Sequence, residues 1–212
     1  MWVAIKDLSA LDLSLSYTYG DYLKWQFTER VELILGKIFP MSPAPRTQHQ
    51  HAVTVLSSGL HRQLRESCRV FPAPFDVILT HESNFKKAAT VVQPDIVVVC
   101  DASKLKEGGC FGAPDLIVEV ISPSTVRRDL HEKLRLYESF GVREYWIIHP
   151  IDKTLLIMTP NAEGFYISSR LITTGDRIDS KVFPGLEFDL NELFTDVVQE
   201  PEPLYGLDVV RI

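Results

Sequence analysis

Long apolar runs, closely spaced cysteines and a surplus of basic residues are all missing from this chain. No stretch of its 212 residues approaches the ~20 apolar residues that a membrane-spanning helix needs. Residues 1–7 have no basic start leading into a sustained apolar segment, so neither a leader nor a membrane anchor is expected. The three cysteines, Cys68, Cys100 and Cys110, are odd in number and lack any C-x-x-C spacing. That argues against a disulfide framework and against a zinc knuckle, and makes a soluble, cytoplasmic protein the expectation. Lys and Arg number 22 against 28 Asp and Glu, a net charge of -6. A broad, sequence-independent grip on nucleic acid is thereby disfavoured, and any polyanion has to meet a local basic patch or a metal. No Pro/Gly/Ser-rich linker, repeat or low-complexity tract divides the chain, which predicts one domain over 1–212 with peripheral N- and C-terminal additions.

Two carboxylates stand where apolar strands are expected. Asp95 heads Ile96-Val97-Val98-Val99, and Glu119 interrupts Leu116-Ile117-Val118 and Val120-Ile121. Runs this continuous and this β-branched read as strands covered on both faces, where an ionised side chain is costly unless it is paired or binds a cation. The bland alternative, exposed strand ends, suits Asp95, which follows Pro94, better than Glu119, which has apolar residues on both sides. Period two puts Gln93, Asp95 and Val97 on one face and Ile117, Glu119 and Ile121 on one face. If the strands pair with those faces aligned the acids converge, and two acidic oxygen donors suit Mg²⁺ or Mn²⁺. Asp115 reads as part of the loop entering its strand.

Around these strands the pattern predicts a short helix over 18–29 with Thr18 as cap and Asp21 three residues on, then a hairpin over 31–41 turning at Gly36-Lys37. A longer helix, starting just after Pro45 and running to about Ser67, carries the stripe Val53, Leu56, Leu60 and Leu64. A strand is expected near 75–80, a surface loop over 103–112, and a helix over 126–140 stopped by Gly141. Strands near 143–148, 154–159 and 165–171 and a last helix near 190–195 follow. The fold class is α/β, with a mixed central sheet flanked by helices.

The helix after Glu119 holds Leu130, Lys133, Leu134 and Tyr137 at i, i+3, i+4 and i+7, which sets Lys133 within the apolar stripe while Arg135 and Glu138 face away. Its stem can pack while the ammonium snorkels to water, or it can pair with Asp129 one turn back. The functional reading is that it reaches the acids, to orient a water or to neutralise charge developing on phosphate. Arg127, Arg128, His131 and Arg135 around it are either an ordinary solvated face or the local phosphate patch an acidic protein requires. His49 and His51 form H-x-H, a spacing that within a helix points the rings apart and disfavours zinc.

These residues carry a family resemblance. Gln93-Pro94-Asp95, residues 113–125, the stretch from Asp129 through Lys133 to Tyr137 and Gly141-Val142-Arg143-Glu144-Tyr145-Trp146 resemble the Uma-two family of bacterial endonucleases. That family is abundant in cyanobacteria and belongs to the PD-(D/E)XK restriction-endonuclease-like superfamily. The resemblance spans residues 17–194 and includes Val31-Glu32-Leu33-Ile34. It implies an αβββαβ core with Asp95 and Glu119 in the two acidic positions and Glu32 as an additional acid. It also implies Mg²⁺ or Mn²⁺ as cofactor and hydrolysis of DNA phosphodiester bonds. The superfamily lysine would fall at Ile121; Lys133 is the substitute from the following helix. His49 matches a family position at the start of the long helix, and with Gln93, Arg127 and Arg128 completes the substrate-binding candidates. Duplex cleavage favours a homodimer. The alternatives are a catalytically silent module of the same fold that binds nucleic acid or protein, and a glycosidase, which needs an aromatic-lined cleft that these core-like aromatics do not provide.

Overall fold

The structure, a computed structural model, describes residues 4–41, 46–121 and 132–197. Helix α1 (Tyr19–Tyr22) starts where the Thr18 backbone N–H and hydroxyl both donate to Asp21 Oδ2, at 3.1 and 2.9 Å. It is one turn long instead of the expected three. The backbone at Lys24 and Gln26 bonds to Ile5 instead, and Trp25 packs between a tilted Tyr22 ring and a stacked Phe27 ring. Strands β1 (Val31–Ile34) and β2 (Lys37–Pro40) form the hairpin, with Leu35 and Gly36 at φ 49° and 81°. Two positive φ values in succession match the right-handed twist of the strands, and they shift the turn one residue before the expected Gly36-Lys37.

Helix α2 (Thr47–Leu64) buries Val53, Leu56, Leu60 and Leu64, as its spacing predicts. Then come β3 (Arg69–Pro72), β4 (Val77–Ile78), β5 (Val91–Val92), β6 (Ile96–Val99), β7 (Leu105–Lys106), β8 (Gly109–Phe111) and β9 (Leu116–Val120). The segment read as a surface loop over 103–112 is therefore largely a hairpin, and Cys110 within it is buried. Helix α3 (Leu134–Phe140) ends at Gly141, whose φ of 77° is the left-handed conformation glycine adopts without strain. Strands β10 (Glu144–His149), β11 (Thr154–Pro160), β12 (Tyr166–Ser168) and β13 (Ile172–Thr173) and helix α4 (Leu190–Leu193) complete the described chain.

The strands form two sheets, not one central sheet. One runs β12-β11-β10-β9-β6-β3, with β13 on β11; the other runs β2-β1-β5-β4-β8-β7. In the first, β3, β6 and β9 are successively antiparallel, and β9 connects through α3 to its parallel neighbour β10. The elements α2-β3-β6-β9-α3-β10 thus make an αβββαβ unit. Alternation along β9 divides the interior: Leu116, Val118 and Val120 pack with α2, whereas Ile117 and Ile121 face α3 and the second sheet. Glu119 shares that second face by parity.

Cys68 and Cys100 are joined in a disulfide, which corrects the expectation drawn from the cysteine count. β3 pairs with β6 so that Arg69 faces Val99, and one more step of that register sets Cys68 opposite Cys100. A cross-strand register is invisible to spacing rules, and the bond removes the cysteine argument for a cytoplasmic setting. Among the described residues no helix is long and apolar enough to cross a membrane.

Candidate active site

The antiparallel register of β6 and β9 sets Ile96 against Val118; one further step brings Asp95 opposite Glu119. Lys133, in the turn that leads into α3, places its ammonium 2.8 Å from Glu119 Oε1 and 2.9 Å from Glu32 Oε1. Glu32 comes from β1 of the other sheet. Exposure is 0% for Glu32, 2% for Lys133 and 5% for Glu119. A lysine this buried is neither snorkelling nor solvated; it compensates two carboxylates held in an apolar layer. The Tyr137 hydroxyl donates to the same Glu119 oxygen at 2.9 Å. Burial, reinforced by the charges of Glu119 and Glu32, pushes its phenol well above the usual tyrosine value, so it remains a donor. Tyr137 lies four residues after Lys133, on the same helix face. That spacing was the signal for it, hidden because the residue also fits an apolar stripe.

Asp95 is held differently. Its Oδ2 accepts the Val120 backbone N–H at 2.7 Å and lies 3.2 Å from His49 Nε2. With its side chain 20% exposed and that of His49 13% exposed, this end is the open side of the cluster. His49 Nδ1 is buried and has no hydrogen-bond partner among the described residues. His51 contacts the Glu192 carbonyl on α4 instead, so the two rings of H-x-H serve different places. Asp115 pairs with Arg143 and accepts the Cys100 N–H, a structural role. Arg127 and Arg128 lie outside the described residues.

Gln93 links the site to a group that sequence reading did not find. Its backbone N–H donates to Glu32 Oε1 at 3.1 Å, and its Nε2 donates to Asp76 Oδ1 at 2.8 Å. Tyr22, at the end of α1, donates to that same Asp76 oxygen at 3.2 Å. Burial raises the Asp76 carboxyl above its ordinary 3.8, against the lowering effect of both donors. A carboxyl that binds its proton more tightly folded than unfolded favours the folded state most at low pH, and that contribution fades as pH rises from the unfolded value through the folded one. Asp76→Asn should therefore flatten the decline in urea stability as pH rises above about 4.

Asp95 and Glu119 are two carboxylates at the facing ends of β6 and β9. Among the described residues no group of three or more His, Cys, Asp or Glu side chains is placed to hold a metal. Asp95 and Glu119 offer two carboxylates, which is what Mg²⁺ takes when waters and substrate phosphate fill the rest of its shell. The same pair cannot form a closed zinc site.

An αβββαβ unit with acids at the facing ends of β6 and β9 and a lysine at the start of the following helix is the arrangement expected of the restriction-endonuclease-like fold. The chain belongs to the Uma2 family, described as "Putative restriction endonuclease", whose model matches residues 19–191. It is 23% identical to the uncharacterized protein slr1290 of Synechocystis sp. over 177 residues, which cover 82% of this chain and 89% of that relative. The fold is that of a crystal structure from Anabaena variabilis, described as "a putative nuclease belonging to DUF820", with a TM-score of 0.67 and 20% identity over 84% of this chain and 97% of the other.

A further expected outcome concerns Tyr137. Tyr137→Phe removes one hydrogen bond to a charged acceptor while leaving Lys133 in place, and should lower unfolding stability by about 1.5–3 kcal/mol. Urea denaturation at neutral pH measures it; an unchanged midpoint would show that the hydroxyl does not hold Glu119.

Proposed function

We propose that this protein is a metal-dependent endonuclease that hydrolyses DNA phosphodiester bonds with Mg²⁺ or Mn²⁺. The reading is carried by one observation: Glu32, Glu119 and Lys133 meet in the apolar interior, beside an Asp95–His49 pair that is partly exposed. Membership of the Uma2 family supports it. Asp95 and Glu119 are the residues that would hold the ion, which when bound neutralises charge on the scissile phosphate and lowers the pKa of a water. Lys133 and Tyr137 orient Glu119, and the Lys133 ammonium is the group available to balance charge developing on the phosphate. Ile121, at the superfamily lysine position, is buried in the apolar cluster and cannot take that part. His49 stands at the open side to touch substrate, with Arg127 and Arg128 as phosphate contacts. A two-fold pair of chains would address both strands of a duplex.

The test uses purified protein on supercoiled plasmid and on single-stranded DNA. Mg²⁺ or Mn²⁺ should support nicking, EDTA should stop it, and Asp95→Ala should reduce it by at least about 100-fold. Equal cleavage by wild type and Asp95→Ala would reveal a contaminant. DNA retained on a gel without cleavage would identify the silent binding module instead.

A further inference from the structure

Gln93 is bonded on two sides and unsatisfied on a third. Its backbone N–H bonds to Glu32 Oε1, the oxygen that also meets Lys133, and its side-chain Nε2 bonds to Asp76 Oδ1. The Tyr22 hydroxyl lies 3.2 Å from that Asp76 oxygen and 3.4 Å from Gln93 Nε2. Gln93 Oε1 is buried, with no hydrogen-bond partner among the described residues.

An ionised carboxylate only accepts, so the end of the amide that faces Asp76 has to be the NH₂. Asp76 therefore decides which way the Gln93 amide is turned. The carbonyl is left as a desolvated acceptor two residues before Asp95, and such an acceptor calls for a donor. A protein group would close the shell permanently. A water of the site closes it only when the site is filled.

We propose that Asp76, with Tyr22 behind it, is a positioning residue that holds the Gln93 amide so that Oε1 accepts a hydrogen bond from a water in the carboxylate site. This rests on the nuclease reading given above. Neither Asp76 nor Tyr22 touches substrate in this scheme; both act through Gln93.

Asp76→Asn keeps the size of the side chain but lets it donate as well as accept, which frees the Gln93 amide to reverse. It should lower kcat for plasmid nicking roughly 10- to 100-fold, the usual scale for losing a partner that orients a site group. KM for DNA should be unchanged. In a Gln93→Met background the same substitution should have no further effect, because the residue it acts through is gone. Wild-type kcat in Asp76→Asn, or a loss that adds in full to that of Gln93→Met, would overturn the proposal.

Mg²⁺-induced rise in melting temperature supplies a second readout that does not need cleavage. Should wild type cleave no nucleic acid, the nuclease reading fails, and the positioning role is decided by that rise alone. A smaller rise in Asp76→Asn, with no further reduction in the Gln93→Met background, retains it. An equal rise in Asp76→Asn, or no rise in wild type, overturns it.

Discussion

Lys133→Met is expected to give a protein that folds less stably by about 3–5 kcal/mol at neutral pH, the cost of stranding buried charge, and that no longer cleaves DNA. The ammonium sits 2.8 Å from Glu119 and 2.9 Å from Glu32, and all three side chains are out of water. Methionine preserves the stem and its packing, so the change isolates the charge. Without it, two carboxylates face one another in an apolar layer, and the cheapest relief is for one of them to bind a proton. The pH dependence follows. A buried carboxyl with a raised folded pKa favours the folded state at low pH and loses that contribution as pH rises, so the gap between variant and wild type should narrow on acidification. Urea denaturation at about pH 5 and pH 8 measures it. A gap independent of pH would show that the lysine is not compensating the acids.

Glu144→Ala should be more damaging still to the fold while leaving the chemistry of any folded fraction intact. Glu144 is fully buried at the start of β10; its Oε1 accepts from Trp146 Nε1, and its Oε2 from the N–H groups of Lys181 and Val182, at 2.9 and 3.0 Å. Truncation removes the acceptor of one buried and two partly buried donors, at about 1–3 kcal/mol each. The expected drop in melting temperature exceeds ~10 °C for a chain of this size. Thermal unfolding and kcat of the residual native protein separate the two effects. Glu144 faces Leu116 and Glu119 faces Ile147 in the same parallel pairing, so the two buried glutamates stand toward opposite ends of the ladder. One anchors the C-terminal segment to the sheet and the other belongs to the cluster. A loss of kcat without loss of stability would reverse that assignment.

Sequence reasoning reached the parts of this protein that repeat at short range. The β-branched runs of β6, β9 and β10, the stripe of α2 and the stop at Gly141 all announce themselves within a dozen residues. Glu119 and Lys133 stood out because each breaks a local apolar pattern. What escaped detection depends on pairing across the chain. The second sheet is built largely of strands of two or three residues, such as β4, β5 and β7, too short to show a period, and held by neighbours far away in sequence. Asp76 and Tyr22 meet Gln93 only through that sheet, and Cys68 meets Cys100 only through the β3–β6 register. Glu144 was read as part of a strand because Arg143 beside it makes the pair look like an ordinary charged strand end, a local signal weaker than the one that marked Glu119.

The cluster draws Glu32 from one sheet, Glu119 from the other and Lys133 from the approach to α3, so no single folding unit of the chain contains it. A nascent or partly unfolded chain can hold native strands and helices and still lack it, because the last layer to dock is the one that completes it. Such a nuclease would be harmless until finished: the capacity to break DNA would arrive with the final packing step and depart with the first layer to loosen. Substitutions that only loosen the apolar packing between the sheets, at Ile34 or Val97, should then silence cleavage at temperatures where most of the secondary structure persists.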